Sequence, residues 1–118
     1  MSQLKQLRRG STPLLVLSAL SDTPKYGYQI MREIEERSDG YFTMTAALLY
    51  PALHKLEQDG LIEGQWQDGQ GKRKRKYYTI TQSGQQSLVD NRASWKEFVG
   101  KLYQVLQTPP PAMEVSHG

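Results

Sequence analysis

Residues 45–81 read TAALLYPALHKLEQDGLIEGQWQDGQGKRKRKYYTIT, and this stretch decides the fold. Its first part predicts a helix from about Thr45, because leucines recur at spacings of four and three (Leu49, Leu53, Leu56). Gly60 ends this helix, since glycine enters the left-handed conformation at little cost. Pro51 lies close enough to the helix start to be tolerated with slight irregularity.

The second part of the stretch predicts a β-hairpin with strands at 61–66 and 76–81. The connection contains Asp68-Gly69 and Gly71, which are typical of a turn, and it is rich in solvated charge. An uninterrupted basic run, KRKRK at 72–76, gives the hairpin a basic tip. Trp66, on the first strand, is expected to anchor the hairpin on the helices.

Two helices are predicted upstream of this stretch. Thr12-Pro13 resembles an N-cap followed by proline at the first helical position, which predicts a short buried helix over 13–21. A second, amphipathic helix covers about 26–37, because Ile30, Met31 and Ile34 recur with helical spacing and charged residues lie between them. Ser38-Asp39-Gly40 ends it.

A long final helix is predicted downstream, with Thr81 as its cap. Its apolar positions alternate steps of three and four, broken only by Arg92, and they form the predicted dimer interface: Leu88, Trp95, Val99, Leu102 and Leu106. Phe98 and Val105 widen this stripe beyond what a lone helix needs, which favours a homodimer. The predicted organisation is an N-terminal extension (1–11), a DNA-binding domain (12–81), a dimerisation helix (82–107) and a flexible tail (108–118).

Composition narrows the function. The chain has 118 residues, the size of one domain, and a net charge of only +3, so the position of the charge says more than its total. Cysteine is absent and the two histidines, His54 and His117, are far apart, so no metal, no cofactor and no enzyme are expected. The N-terminal apolar run is at the short limit for a signal peptide and lacks a cleavage site, and no segment is long enough to span a membrane. A cytoplasmic location is expected.

Three helices followed by a hairpin form the winged helix-turn-helix plan, a mainly α fold with a small β-hairpin. In this plan the third helix enters the major groove of double-stranded DNA and the hairpin, or wing, contacts the backbone. The positions left outside the leucine face are then candidate contacts: Thr45, Ala46, Ala47, Tyr50, His54 and Lys55. The wing adds Lys72, Arg73, Lys74, Arg75 and Lys76. No arginine or asparagine suited to bidentate base recognition lies on the third helix, so apolar contacts and DNA shape are expected to carry discrimination.

Five short motifs in order resemble the PadR family of transcriptional regulators: Tyr26-Gly27-Tyr28, Leu49-Tyr50-Pro51-Ala52-Leu53, Leu56-Glu57, Gly60-Leu61-Ile62 and Lys76-Tyr77-Tyr78-Thr79-Ile80-Thr81. The resemblance runs from about Leu14 to Leu106. It implies a winged-helix domain with a C-terminal dimerisation helix, and repression that a small ligand relieves in many members; Tyr28 joins the candidate DNA contacts. Leu48 departs from the family, which commonly has a small hydroxyl residue there, so it faces either the core or a thymine.

The resemblance also raises ligand binding at Trp95, since multidrug-responsive relatives stack planar compounds on an aromatic near this position. Phe98 and Val99 would line the same region, and the effector would be planar and hydrophobic. Packing of Trp95 in the dimer core is the favoured interpretation. Two other functions remain open: a protein-interaction module, which would not need five consecutive cations, and a ligand carrier without a DNA function, for which neutralising the wing would change nothing.

Overall fold

The computed structural model describes residues 3–68 and 74–111. The elements in chain order are α1 (Gln3–Ala19), β1 (Lys25–Tyr26), α2 (Gly27–Arg37), α3 (Ala46–Gln58), β2 (Ile62–Asp68), β3 (Lys74–Ile80) and α4 (Gln82–Leu106). Three helices thus precede a hairpin and a long last helix. The predicted fold class, a mainly helical winged helix-turn-helix followed by a C-terminal helix, is confirmed.

The first helix differs from its prediction. It begins at Gln3 and not at Pro13, so Pro13 lies in its interior and residues 3–11, assigned above to an extension, are helical. Thr12 is 2% exposed and is not an N-cap. The proline ring is exposed, and it removes one backbone donor and crowds the carbonyl four residues earlier, while Val16 and Leu17 on its C-terminal side hold the helix in the core.

The core lies between α1, α2 and α3. Their buried side chains are those that the periodicity predicts for the second and third helices, joined by the apolar run of the first: Val16, Leu17, Leu20, Ile30, Ile34, Leu49, Leu53 and Leu56. Thr45 caps α3, since its Oγ1 accepts a hydrogen bond from the backbone N–H of Leu48 at 3.3 Å. Gly40 and Gly60 both have positive φ after helix ends, as predicted. These features fix the direction of α3.

The sheet has three strands in the order β1-β3-β2, and both pairings are antiparallel. Strand β1 is absent from the prediction because two residues after a proline carry no periodic signal. Strands β2 and β3 extend further toward the turn than predicted, with Asp68 opposite Lys74. Lys74, Arg75 and Lys76 therefore lie in a strand and not at a tip. An exposed ribbon lacks the apolar alternation that marks a strand in sequence.

Among the side chains that the structure describes, those of the fourth helix are buried only near its start. Thr81 caps it, with Oγ1 accepting from the backbone N–H of Gly84 at 3.0 Å, and its only buried residues are Gly84 and Leu88. Leu88, at 3% exposure, belongs to the core of its own chain, so its assignment to a dimer interface is wrong. The rest of the helix, to Leu106, has no buried residue.

Candidate nucleic-acid interface

Helix α3 turns one face to the core and the opposite face to solvent. Because each residue advances about 100° around a helix, the positions opposite the buried leucines are Ala47, Pro51 and His54, and all three are exposed. Ala46 and the cap Thr45 are exposed at the helix start. The structure therefore brings most of the predicted contacts on this helix to one surface, and it adds Pro51, which helical spacing from Ala47 would have identified.

Two predicted contacts lie on the flanks of α3. Lys55, on the side of α1 and α4, is exposed and its Nζ lies 3.3 Å from Oδ1 of Asp59, a pairing that solvent screens. Tyr50, on the side of the sheet, is 48% exposed. Its hydroxyl rests against Gly27 at the start of α2, where a Cβ would overlap it, so a larger residue there would make the phenol move.

Leu48 does not face the DNA side. It is partly buried in a small apolar recess with side chains of α1 and of the loop before α3 (Thr12, Leu15, Phe42, Met44). Of the two alternatives for this residue, the core is therefore the one observed.

At the start of α2, Tyr28 is 55% exposed. The Arg32 guanidinium donates a hydrogen bond to its hydroxyl at 3.3 Å and also pairs with Glu36 at 3.0 Å. Together these two partners raise the pKa of Arg32 above its usual value, so the guanidinium stays charged. Tyr28 is thus an accessible phenol held beside a cation.

The cations of the wing have different partners. The Nζ of Lys76 lies 3.0 Å from Oε1 of Glu57 on α3, and this hydrogen bond raises the lysine pKa. Lys74 is exposed, and the guanidinium of Arg75 lies 4.5 Å above the ring of Tyr26. Lys72 and Arg73 lie outside the described residues. Lys76 is therefore paired with a carboxylate of its own chain, whereas the exposed Lys74 and Arg75 have no carboxylate partner among the described residues.

Trp66 does not anchor the hairpin, because it is 67% exposed. The face of β2 that packs on the body ends with Ile62 and Gly64, and Trp66 lies one step beyond α3 on the same face. An open groove of about 420 Å³ runs between α2, α3 and the wing. Its lining combines aromatic rings and cations: Tyr26, Gly27, Tyr50, Trp66, Lys74, Arg75, Lys76 and Tyr78.

The candidate ligand residues lie far along α4. The rings of Trp95 and Phe98 meet edge to face with centroids 5.8 Å apart. Trp95 and Val99 are half-buried, while Phe98 is 55% exposed. Among the described residues no cluster of acidic or histidine side chains fits a metal ion. No helix within 3–68 or 74–111 is long and apolar enough to cross a membrane.

Comparison with known proteins agrees with this arrangement. The model of the transcriptional regulator PadR-like family matches residues 16–90. A PadR family transcriptional regulator of Eggerthella lenta superposes with a TM-score of 0.79 at 33% identity, covering 89% of each chain. The transcriptional regulator Rv3488 of Mycobacterium tuberculosis is 27% identical over 84% of this chain and 89% of its own. The regulator YqjI of Escherichia coli is 32% identical over 70% of this chain, which spans only 38% of that longer relative.

These matches cover the helices and the wing that form the candidate interface. PadR regulators bind DNA and are not enzymes. The chain therefore belongs to the PadR-like family of transcriptional regulators.

Proposed function

We propose that this regulator is a homodimeric repressor that binds an inverted-repeat operator through α3 and the wing. The observation that carries the proposal is the groove between α2, α3 and the wing, which Tyr50, Lys74 and Arg75 line, on a helix whose start and outer face are exposed to solvent. A duplex lying across this side would meet the helix in a major groove and the wing at the adjoining backbone.

The chemistry of α3 suits close approach to base edges without bidentate readout. Ala46 and Ala47 leave room for the floor of the groove and offer methyl groups to thymine, and Thr45 and Tyr50 offer hydroxyls to phosphates. His54 and Lys55 follow one turn after Tyr50 and two turns after Ala47. Specificity would then depend on apolar contacts and on the shape of the operator.

The shape of the chain supports a dimer. Its radius of gyration is 16.0 Å, compared with about 13.5 Å for a compact domain of this length, so the chain is elongated. This helix is about 37 Å long. Beyond Leu88 it carries exposed apolar side chains that a second copy would cover: Phe98 at 55%, Leu102 at 42% and Leu106 at 57% exposure. Trp95 and Val99 lie on the same stripe.

Two-fold symmetry follows from pairing of these helices. The two α3 helices would enter successive major grooves about 34 Å apart, which is why the operator should be an inverted repeat. A planar hydrophobic effector inserted between the α4 helices at Trp95 and Phe98 would change their relative angle and hence this spacing. Such a ligand lowers DNA affinity only if it binds the two arrangements with different affinity.

The test is fluorescence-anisotropy binding to duplex DNA from the region upstream of the protein's own gene, at two salt concentrations and against random competitor. Tight, competitor-resistant and salt-sensitive binding is expected. Binding that random DNA removes would refute an operator in that region. Absence of binding to any duplex would favour a protein-interaction module. Calorimetry with planar hydrophobic compounds, followed by DNA binding with the same compounds, tests the effector.

A further inference from the structure

The outer part of the wing, around Trp66, leaves a large aromatic side chain uncovered. In the antiparallel pairing, Gly64 faces Tyr78 and Trp66 faces Lys76 across the ladder. Successive pairs on one face of a ribbon are two residues apart, so these four residues share the face that turns toward α3. Tyr78 is 6% exposed and Gly64 is half-buried, whereas Trp66 is 67% exposed. On this face the Gly64–Tyr78 pair is thus packed against the body, whereas Trp66 in the next pair is exposed to solvent.

The groove around the exposed Trp66 is lined by polar and charged side chains. Trp66 lines the groove with Tyr50 of α3 on one side and Lys74 and Arg75 of β3 on the other. Lys76, its cross-strand partner, is held by Glu57, so the cations left for a partner are those nearer the turn. The exposed indole therefore shares its face of the ribbon with Lys74, whereas Arg75 starts from the opposite face and lines the same groove with its guanidinium over the ring of Tyr26.

Duplex DNA matches this combination. Its backbone alternates phosphates, which suit Lys74 and Arg75, with deoxyribose rings whose apolar faces suit an indole. An apolar protein partner covering Trp66 would instead remove both cations from water without a counter-charge, which is unfavourable.

We propose that Trp66 packs against a deoxyribose of the bound duplex, beside the phosphates that Lys74 and Arg75 neutralise. The inference rests on the proposed DNA-binding function and adds to it an uncharged, sequence-independent contact at the wing. Such a contact contributes affinity that salt does not screen, in contrast to its two charged neighbours.

The first experiment compares Trp66→Ala and Trp66→Phe with the wild type by fluorescence anisotropy, on operator and on random duplex, at three salt concentrations. We expect Trp66→Ala to weaken binding to both duplexes about tenfold, the loss that uncovering about 60 Å² of apolar surface at the DNA would cause. The salt slope should not change, and Trp66→Phe should retain most of the affinity. Val89→Ala, which removes a 56% exposed apolar side chain on α4, is the matched control.

The second experiment reads Trp66 directly. The chain has two tryptophans, so the wild type is compared with Trp66→Phe, in which Trp95 is the remaining indole. Duplex DNA should shift and quench the wild-type emission, and protect it from iodide, more than it does in Trp66→Phe. This readout does not depend on the stability of Trp66→Ala. If the wild type binds DNA, Trp66→Ala binds it equally well and DNA does not change the Trp66 emission, the contact is overturned and the proposed function stands. No DNA binding by the wild type overturns both.

Discussion

The division of the wing cations into paired and outward-pointing ones gives the sharpest prediction. Lys74→Gln combined with Arg75→Gln removes two outward charges per protomer, hence four per dimer. Each phosphate neutralised contributes about 0.9 to the log–log salt slope, so the double variant should flatten that slope by roughly 3 to 4. When salt rises from about 50 to 200 mM, both proteins lose affinity, and the factor lost by the double variant should be roughly a hundred times smaller than the factor lost by the wild type.

Lys76→Gln is the control, since it removes one positive charge from the same strand. Its ammonium is already 3.0 Å from the Glu57 carboxylate, so it has little charge to give to a phosphate, and the slope should change by less than about 0.5. The measurement is anisotropy on random duplex over a salt series, with circular dichroism to verify folding. A double variant with the wild-type slope, or a Lys76→Gln slope as flat as that of the double variant, would refute the reasoning.

Three further predictions concern stability and assembly. Gly84→Ala should lower the free energy of unfolding by about 2 kcal/mol or more, because its Cβ would overlap the Leu61 carbonyl; thermal melting measures this, and an unchanged midpoint contradicts it. Trp95→Ala should shift the dimer toward monomer in sedimentation velocity at micromolar concentration, whereas an unchanged distribution would remove Trp95 from the interface. Asp22 has a lowered pKa because Lys25 donates a hydrogen bond to it, so its stabilising contribution is present above about pH 4 and is lost as the pH falls through the lowered value. Asp22→Asn should therefore make the unfolding free energy depend less on pH at the acid end of a stability–pH curve, and an unchanged dependence contradicts this.

Much of the interface could be predicted because its determinants are local. Thr45 and Thr81 are caps, and the leucines of α3 repeat at helical spacing, so the residues left to face solvent follow from the same count. The Thr12-Pro13 capping signal was local and wrong, because α1 begins at Gln3 and runs through it. The error at Trp66 depended instead on neighbours distant in sequence. Trp66 was expected on the body, but the packed face of β2 ends one step before it, which no pattern within the strand reveals.

By itself the sequence determined the order of the four helices and of the hairpin, the caps of α3 and α4, and the buried face of each of the second and third helices, since periodicity and capping act within a few residues. Only the tertiary structure decided which cations of the wing point outward and which apolar residues of α4 are left uncovered. Lys76 is neutralised because strand register brings it to Glu57, nineteen residues away. Leu88 is not available to a partner chain because the core of its own chain already surrounds it. Those outcomes are set by contacts between separate elements, and a linear pattern does not contain them.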